Sequence, residues 1–216
     1  MIVYFVRHAS AGQRKLSPKK DEKRPLDAEG VHQCTQMGRI LSAMEASVDA
    51  VISSPLKRAT QTASLVANEI GFEGRLNLEN ALRPEAKYDH FRDMLRKYSK
   101  FESLMVVGHN PNFSEFLGRM VVSNGDRAYI ELKKAAVAKI ESEQKKSVLH
   151  WLLTPRLAKA SADSSISEGS NGVMASSNGM GPSEELVAEY RKGKNKKKKQ
   201  PQAALTMRSR PKMSRK

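Results

Sequence analysis

Three short apolar runs, each broken off at a motif bearing histidine or arginine, constrain this 216-residue chain more than any other feature. Ile2–Val6 stops at Arg7-His8, Val48–Ser53 runs into Ser54-Pro55-Leu56-Lys57-Arg58, and Leu104–Val107 stops at Gly108-His109-Asn110-Pro111. Such short runs, rich in β-branched residues, read as buried strands. The segments between them carry helical spacing. Asp27 can cap a helix with apolar positions at Val31, Cys34, Met37, Leu41 and Met44. Ser54-Pro55 opens a second, with Pro55 in its first turn and Ala59, Ala63, Val66 and Ile70 on one face. Another spans about 88–98, and one after Pro111 carries Phe113, Phe116, Leu117 and Met120. Residues 9–26, polar and containing Pro18 and Pro25, read as a long loop; Ala135–Ile140 and Val148–Leu153 read as the last two strands. Strands alternating with helices predict an α/β fold with a mostly parallel sheet. In such sheets ligands gather beyond the carboxyl ends of the strands, where all three motifs fall.

Each motif alone has an ordinary structural reading: a surface Arg beside a capping His, a solvated helix Arg, a His near a helix start. Together they would bring two imidazoles and two guanidinium groups to one cleft. A phosphoryl group suits that set, because guanidinium forks match its equatorial oxygens in fixed bidentate geometry. A neutral imidazole nitrogen is a competent nucleophile near pH 7, and a second, protonated imidazole can donate to the developing charge. Helices starting near Pro55 and Pro111 would add positive dipole ends to the cleft.

These motifs resemble those of the histidine phosphatase (phosphoglycerate mutase-like) superfamily. Arg7-His8-Ala9 is similar to its Arg-His-Gly/Ala motif, Ser53–Ala63 to the segment whose Arg holds the phosphoryl group, and Val107–Pro111 to the segment supplying the second His. Arg24-Pro25-Leu26, followed by Gly30, resembles the stretch before the first long helix, where an Arg assists phosphate binding. The resemblance spans about residues 1–157. It implies a three-layer α/β/α sandwich, a phosphohistidine intermediate on His8, and Arg7, Arg58 and His109 as the other catalytic groups, with Arg24 as a substrate-binding residue. Within the superfamily the chain is similar to the SixA-type phosphohistidine phosphatases. It has the same compact length, the Arg-Pro-Leu and Gly-His-Asn-Pro segments, and no large insertion that would cap the site.

Larger members of the superfamily place a Glu or Asp in mid-chain to protonate the leaving oxygen. Here the corresponding stretch is Leu82-Arg83-Pro84-Glu85-Ala86-Lys87, and Glu85 reads either as that general acid or as a solvated loop residue. An alkoxide leaving group needs a proton, whereas imidazole leaving from phosphohistidine can already carry one. A site without a firm acid therefore favours P–N cleavage. No cofactor or metal is expected: His32, His90 and His150 fall at no ligand-like spacing with each other or with Cys34.

The lone cysteine, Cys34, reads as a buried small hydrophobe in a reducing compartment. The apolar start ends after six residues at Arg7, too short for a signal peptide, and no run approaches the roughly 20 residues of a membrane span. A cytoplasmic protein is expected. The net charge of +15 divides into +7 on residues 161–216 (12 Lys and Arg against 5 Asp and Glu) and +8 on the rest. A basic domain suits an anionic substrate. Residues 158–216 read as a disordered tail, Ser- and Gly-rich and then dense in Lys and Arg from Arg191. That tail is either a solvated extension, a nonspecific binder of nucleic acid or polyphosphate, or a nuclear address.

Three functions follow as expectations. The first is removal of phosphate from phosphohistidine on proteins; the second is a phosphomonoesterase acting on a small metabolite or nucleotide. The third is a non-catalytic phosphate- or polyanion-binding module.

Overall fold

The computed structural model describes residues 1–122, 128–143 and 146–159. The tail expected over 158–216 lies outside them from residue 160 onward.

The described residues form one six-stranded sheet: β1 (Ile2–Arg7), β2 (Ala50–Ser53), β3 (Leu76–Leu78), β4 (Ser103–Gly108), β5 (Val137–Ser142) and β6 (Ser147–Leu153). Their spatial order is β3-β2-β4-β1-β5-β6. The pairs β1/β4, β2/β4 and β2/β3 are parallel, while β5 and β6 add an antiparallel edge. Side-chain alternation splits the central strands between two cores. Tyr4, Val6, Val51, Met105 and Val107 enter one, and Val3, Phe5, Ile52, Leu104 and Val106 enter the other. Both faces are buried, which is why these strands read as continuous apolar runs. The helices α2 (Ala28–Ala43) and α3 (Lys57–Glu69) cover the first face through Cys34, Met37, Leu41, Ala59, Ala63 and Val66. The second is covered by α4 (Tyr88–Lys97) and α5 (Asn112–Val121) through Phe91, Met94, Phe113, Phe116 and Leu117. This is the expected three-layer α/β/α sandwich with a mostly parallel sheet.

Local readings are corrected in five places. The expected loop over 9–26 contains a short helix, α1 (Pro18–Glu22), with none of its residues buried. The edge strand β3 was not anticipated. Pro55 precedes α3 instead of sitting in its first turn, because Leu56 is the extended N-cap residue. The strand expected from Ala135 begins at Val137, since Ala135 adopts a left-handed φ of 55° and interrupts the ladder. On α2, Val31 and Met44 are exposed, and the buried stripe is Gly30, Cys34, Met37, Gly38 and Leu41.

The α2 stripe contains glycine because the helix approaches its neighbours closely. A Cβ on Gly30 would lie 2.0 Å from the Ser10 carbonyl oxygen, a backbone atom that cannot swing away. Asp27 fixes the same junction. Its Oδ1 accepts from Gly30 N (2.8 Å), and its Oδ2 accepts from Ser10 Oγ (2.9 Å) and Gly12 N (2.6 Å). The Gly30→Ala variant is expected to lose about 2–3 kcal/mol of stability, as overpacking against fixed backbone does. Urea unfolding checks this, with a lowered midpoint at unchanged slope.

Candidate active site

Strand register brings the three motifs together. Arg7 pairs with Gly108 across β1 and β4, and Ser53 pairs with Val107 across β2 and β4. The ladder continues just beyond the strand ends, with His8 N donating to Gly108 O and Ser54 N to Val107 O, both at 3.0 Å. His8 and His109 therefore leave adjacent parallel strands on the same side. Their ring centroids lie 4.8 Å apart with planes tilted by 51°. A cleft of about 1040 Å³ opens there, lined by Arg7, His8, Arg24, Arg58 and His109 among others. Leu56 and Pro111, the N-cap residues of α3 and α5, also line it, so both helices direct a positive dipole end at the cleft.

His8 is held in one tautomer. Its Nδ1 lies 2.8 Å from the Ala9 carbonyl oxygen, which can only accept, so Nδ1 carries the proton and Nε2 keeps its lone pair. Ala9 is anchored in turn by Thr62, whose Oγ1 accepts from Ala9 N (3.1 Å) and donates to Arg58 O (2.8 Å). One buried hydroxyl thus ties the turn bearing His8 to the helical turn presenting Arg58. His109 Nε2 shares a hydrogen bond of 2.9 Å with Ser54 Oγ, and its Nδ1 is buried with no partner among the described residues.

Burial dominates the electrostatics of both rings. It pushes the His8 pKa down to about 3, and the Ala9 hydrogen bond only partly opposes this; the charges of Arg58, Arg7 and Arg24 lower it further. Burial, then the charges of His8, Arg58, Arg7 and Arg83, push His109 down to about 2. Both imidazoles are therefore neutral at pH 7 in the unliganded site. Between pH 6.5 and about 3 the unfolded chain binds protons at these histidines that the folded chain does not. Stability is expected to fall as pH drops through that window. A His109→Gln variant should show a smaller loss of urea midpoint between pH 7 and pH 5 than the wild type.

The arginines are each fixed by named acceptors. Arg7 Nη1 donates to Leu132 O (2.8 Å), which also accepts from Asn110 Nδ2 (3.0 Å). Arg58 is 5% exposed, and its Nη1 donates to the backbone oxygen (3.1 Å) and Oδ2 (3.3 Å) of Asp21. Arg24 lies in the cleft wall, with Nε on Asp21 Oδ1 (2.8 Å) and Nη1 on Ala11 O (2.7 Å) and Gly12 O (3.1 Å). The Nε atoms of Arg7 and Arg58 are buried without a partner among the described residues.

All six residues named from sequence line this cleft: Arg7, His8, Arg24, Arg58, Glu85 and His109. Glu85 stands apart. Its side chain is exposed at the rim and its Oε1 accepts from Arg83 Nε at 2.7 Å. Cys34 is fully buried, and burial raises its thiol pKa to about 12, so it behaves as a small hydrophobe. His32 and His90 are exposed, and His150 Nε2 meets Glu141 Oε2 (2.9 Å) on the β5–β6 hairpin. Among the described residues no helix is long and apolar enough to cross a membrane.

Sequence reasoning missed Asp21, Ser54 and Thr62 as site residues. Asp21 precedes Arg24 by three positions, the spacing of an ion pair on one helical turn, and that was the available signal.

Residues 3–103 match the family model of the histidine phosphatase superfamily, branch 1. An uncharacterised protein of Picosynechococcus sp. is 28% identical over 150 residues, covering 66% of this chain and 86% of its own. Among solved structures, the protein histidine phosphatase SixA complexed with tungstate superposes with a TM-score of 0.65. It is 21% identical and covers 73% of this chain and 99% of its own. A phosphoglycerate mutase from Bacillus anthracis superposes with a TM-score of 0.59 at 16% identity, covering 74% and 95%. These two likenesses are of fold. His109 lies beyond the matched segment, but the strand register sets its ring against that of His8, inside the segment. The sequence match over residues 3–103 to the histidine phosphatase superfamily and the likeness of fold thus meet on one strand-end site, the one that holds His8 and His109.

Proposed function

We propose that this enzyme removes phosphoryl groups from phosphohistidine on proteins, with His8 Nε2 as nucleophile. The observation that carries the reading is the state of the cleft's carboxylates. Asp21 is bonded to Arg24 and Arg58, and Glu22 and Glu85 are both bonded to Arg83. Each is engaged as an acceptor to a guanidinium and is poorly placed to hand a proton to a departing alkoxide. A phosphohistidine ring protonated on its other nitrogen needs no such donor. When His8 Nε2 forms its bond to phosphorus and the P–N bond breaks, the ring takes the electron pair and departs as neutral imidazole.

The same logic serves the second step. Once Nε2 is phosphorylated, the proton that Ala9 O holds on Nδ1 makes His8 an imidazolium, which departs neutral when water attacks phosphorus. Both of the water's protons leave with the product, released as dihydrogen phosphate. Arg7 and Arg58 supply the positive charge that phosphoryl oxygens require during both transfers, and Arg24 reinforces it from the wall. His109 Nδ1 supports the reading in a second way. If Ser54 donates to Nε2, Nδ1 bears a buried N–H, a donor left for a phosphoryl oxygen. The likeness to a SixA fold solved with the oxyanion tungstate agrees with this assignment.

A substrate panel tests it, with a phosphohistidine protein beside sugar phosphates and nucleotides at equal concentration. The phosphohistidine protein is expected to be turned over with at least about tenfold higher kcat/KM, reflecting a difference in barrier of about 1.4 kcal/mol. Equal or faster turnover of a phosphate ester would assign the site to small phosphomonoesters instead.

A further inference from the structure

From the geometry we infer that Asp21 is a positioning residue that aims Arg58 and, through its negative charge, holds down the pocket's affinity for released phosphate. The proposal rests on the phosphatase reading above and concerns the same cleft. Asp21 belongs to the five-residue helix α1, none of whose residues is fully buried, yet its side chain is only 13% exposed. It is the hub of the cleft wall. Oδ1 accepts from Lys15 N (2.9 Å) and Arg24 Nε (2.8 Å), while Oδ2 and the backbone oxygen both accept from Arg58 Nη1. Burial favours its neutral acid, but those hydrogen bonds and the charges of Arg24 and Arg58 outweigh burial and keep the pKa below the ordinary carboxylate value. The carboxylate is therefore ionised throughout the physiological range.

Two consequences oppose one another. The grip on Nη1 restricts how the guanidinium can rotate about its stem, and a fixed fork is what a planar, bidentate oxyanion contact requires. The same carboxylate adds a negative charge to the cleft wall, directly behind the guanidinium groups of Arg24 and Arg58. Arg7, Arg24 and Arg58 in a half-buried cleft would otherwise retain inorganic phosphate, and a hydrolase must let it go. A residue that merely braced the fold would weaken every ligand when removed. A residue that aims Arg58 and also repels the product should weaken turnover and strengthen oxyanion binding.

The test uses the full-length protein and its Asp21→Asn variant, which keeps the shape and one acceptor but loses the charge. Orthovanadate and inorganic phosphate are titrated as ligands, and turnover is measured on a phosphohistidine protein. In Asp21→Asn, inorganic phosphate is expected to bind about tenfold more tightly, as the loss of one nearby negative charge allows, whereas orthovanadate, which can mimic the five-coordinate transition state, should gain less because it also follows the aim of Arg58. In parallel, kcat should fall about tenfold through the loosened Arg58. Unchanged or weaker phosphate binding in a variant with wild-type melting temperature would overturn the proposal. If Asp21→Asn melts early, Asp21→Ser is measured in its place, against the same expectation. The binding titrations need no substrate. A wild-type enzyme that ignores phosphohistidine but binds vanadate would therefore sink the substrate assignment and leave the Asp21 proposal to be decided by the two affinities.

Discussion

Replacing His8 by alanine is expected to reduce turnover by at least about 10³-fold, the loss typical of removing a nucleophile whose partners remain in place. The geometry explains why no neighbour can substitute. His109 is the other imidazole at the site, but its Nε2 is tied to Ser54, and its ring is 2% exposed. Among the described residues His8 alone combines a proton-bearing Nδ1, fixed by Ala9 O, with an Nε2 that no protein group engages. The variant should still bind vanadate, because Arg7, Arg24 and Arg58 owe none of their hydrogen bonds to His8. A steady-state assay run beside a vanadate titration separates the two effects. Lost turnover with retained binding is the expected pair.

The second large effect is expected at Arg58. Its guanidinium is buried beside the two imidazoles, and its charge acts on both of them. Arg58→Ala should lower kcat/KM by about 10²–10³-fold, the range found when one preorganised donor to a transition state is removed. Arg58→Lys should recover little of this, since a point-like ammonium has no planar fork with which to hold a phosphoryl group bidentately while one nitrogen remains on Asp21. Steady-state kinetics on both variants check the claim, and a Lys variant with near wild-type kcat/KM would show that charge alone suffices. The fold should tolerate either change, because Arg58 sits at the cleft end of α3, before the buried Ala59–Ala63–Val66 stripe that packs the helix.

The parts of this site that were legible in the sequence share a physical cause. β1, β2 and β4 lie in the middle of the sheet with both faces covered, so their residues are apolar without alternation, and a change to Arg or His marks the strand end sharply. The parts that were not legible lack such a signal. Helix α1 buries none of its residues, so it has no apolar stripe; Asp21 is held there by hydrogen bonds to groups distant in sequence. The edge strand β3 is three residues long and half exposed. On α2 the apolar spacing pointed one turn too widely, at Val31 and Met44. The true contact stripe uses Gly30 and Gly38, where a Cβ would strike the Ser10 carbonyl at 2.0 Å and the Glu69 side chain at 2.5 Å. Hydropathy gives glycine no weight, although at close helix contacts the missing side chain is what permits the packing.

Glu85 shows the reverse case. Its position in sequence left two readings open, general acid or solvated loop residue, and it lies at the cleft as an exposed partner of Arg83. Only the second fact bears on chemistry, because proton transfer to a leaving group depends on what else competes for the carboxylate. Substituting Glu85 by Gln is expected to change kcat on a phosphohistidine protein by less than about threefold, within the range of an exposed ion pair. A drop of a hundredfold would restore it as the acid.

The central claim is that phosphorus is transferred to Nε2 of His8. Rapid mixing with a phosphohistidine protein, an alkaline quench and mass spectrometry of the digested enzyme test it most directly. One phosphoryl group is expected on the peptide containing His8, stable to alkali, lost in acid, and formed at least as fast as turnover. Full turnover with no phosphorylated His8, or with the label on His109 or any other residue, would contradict it.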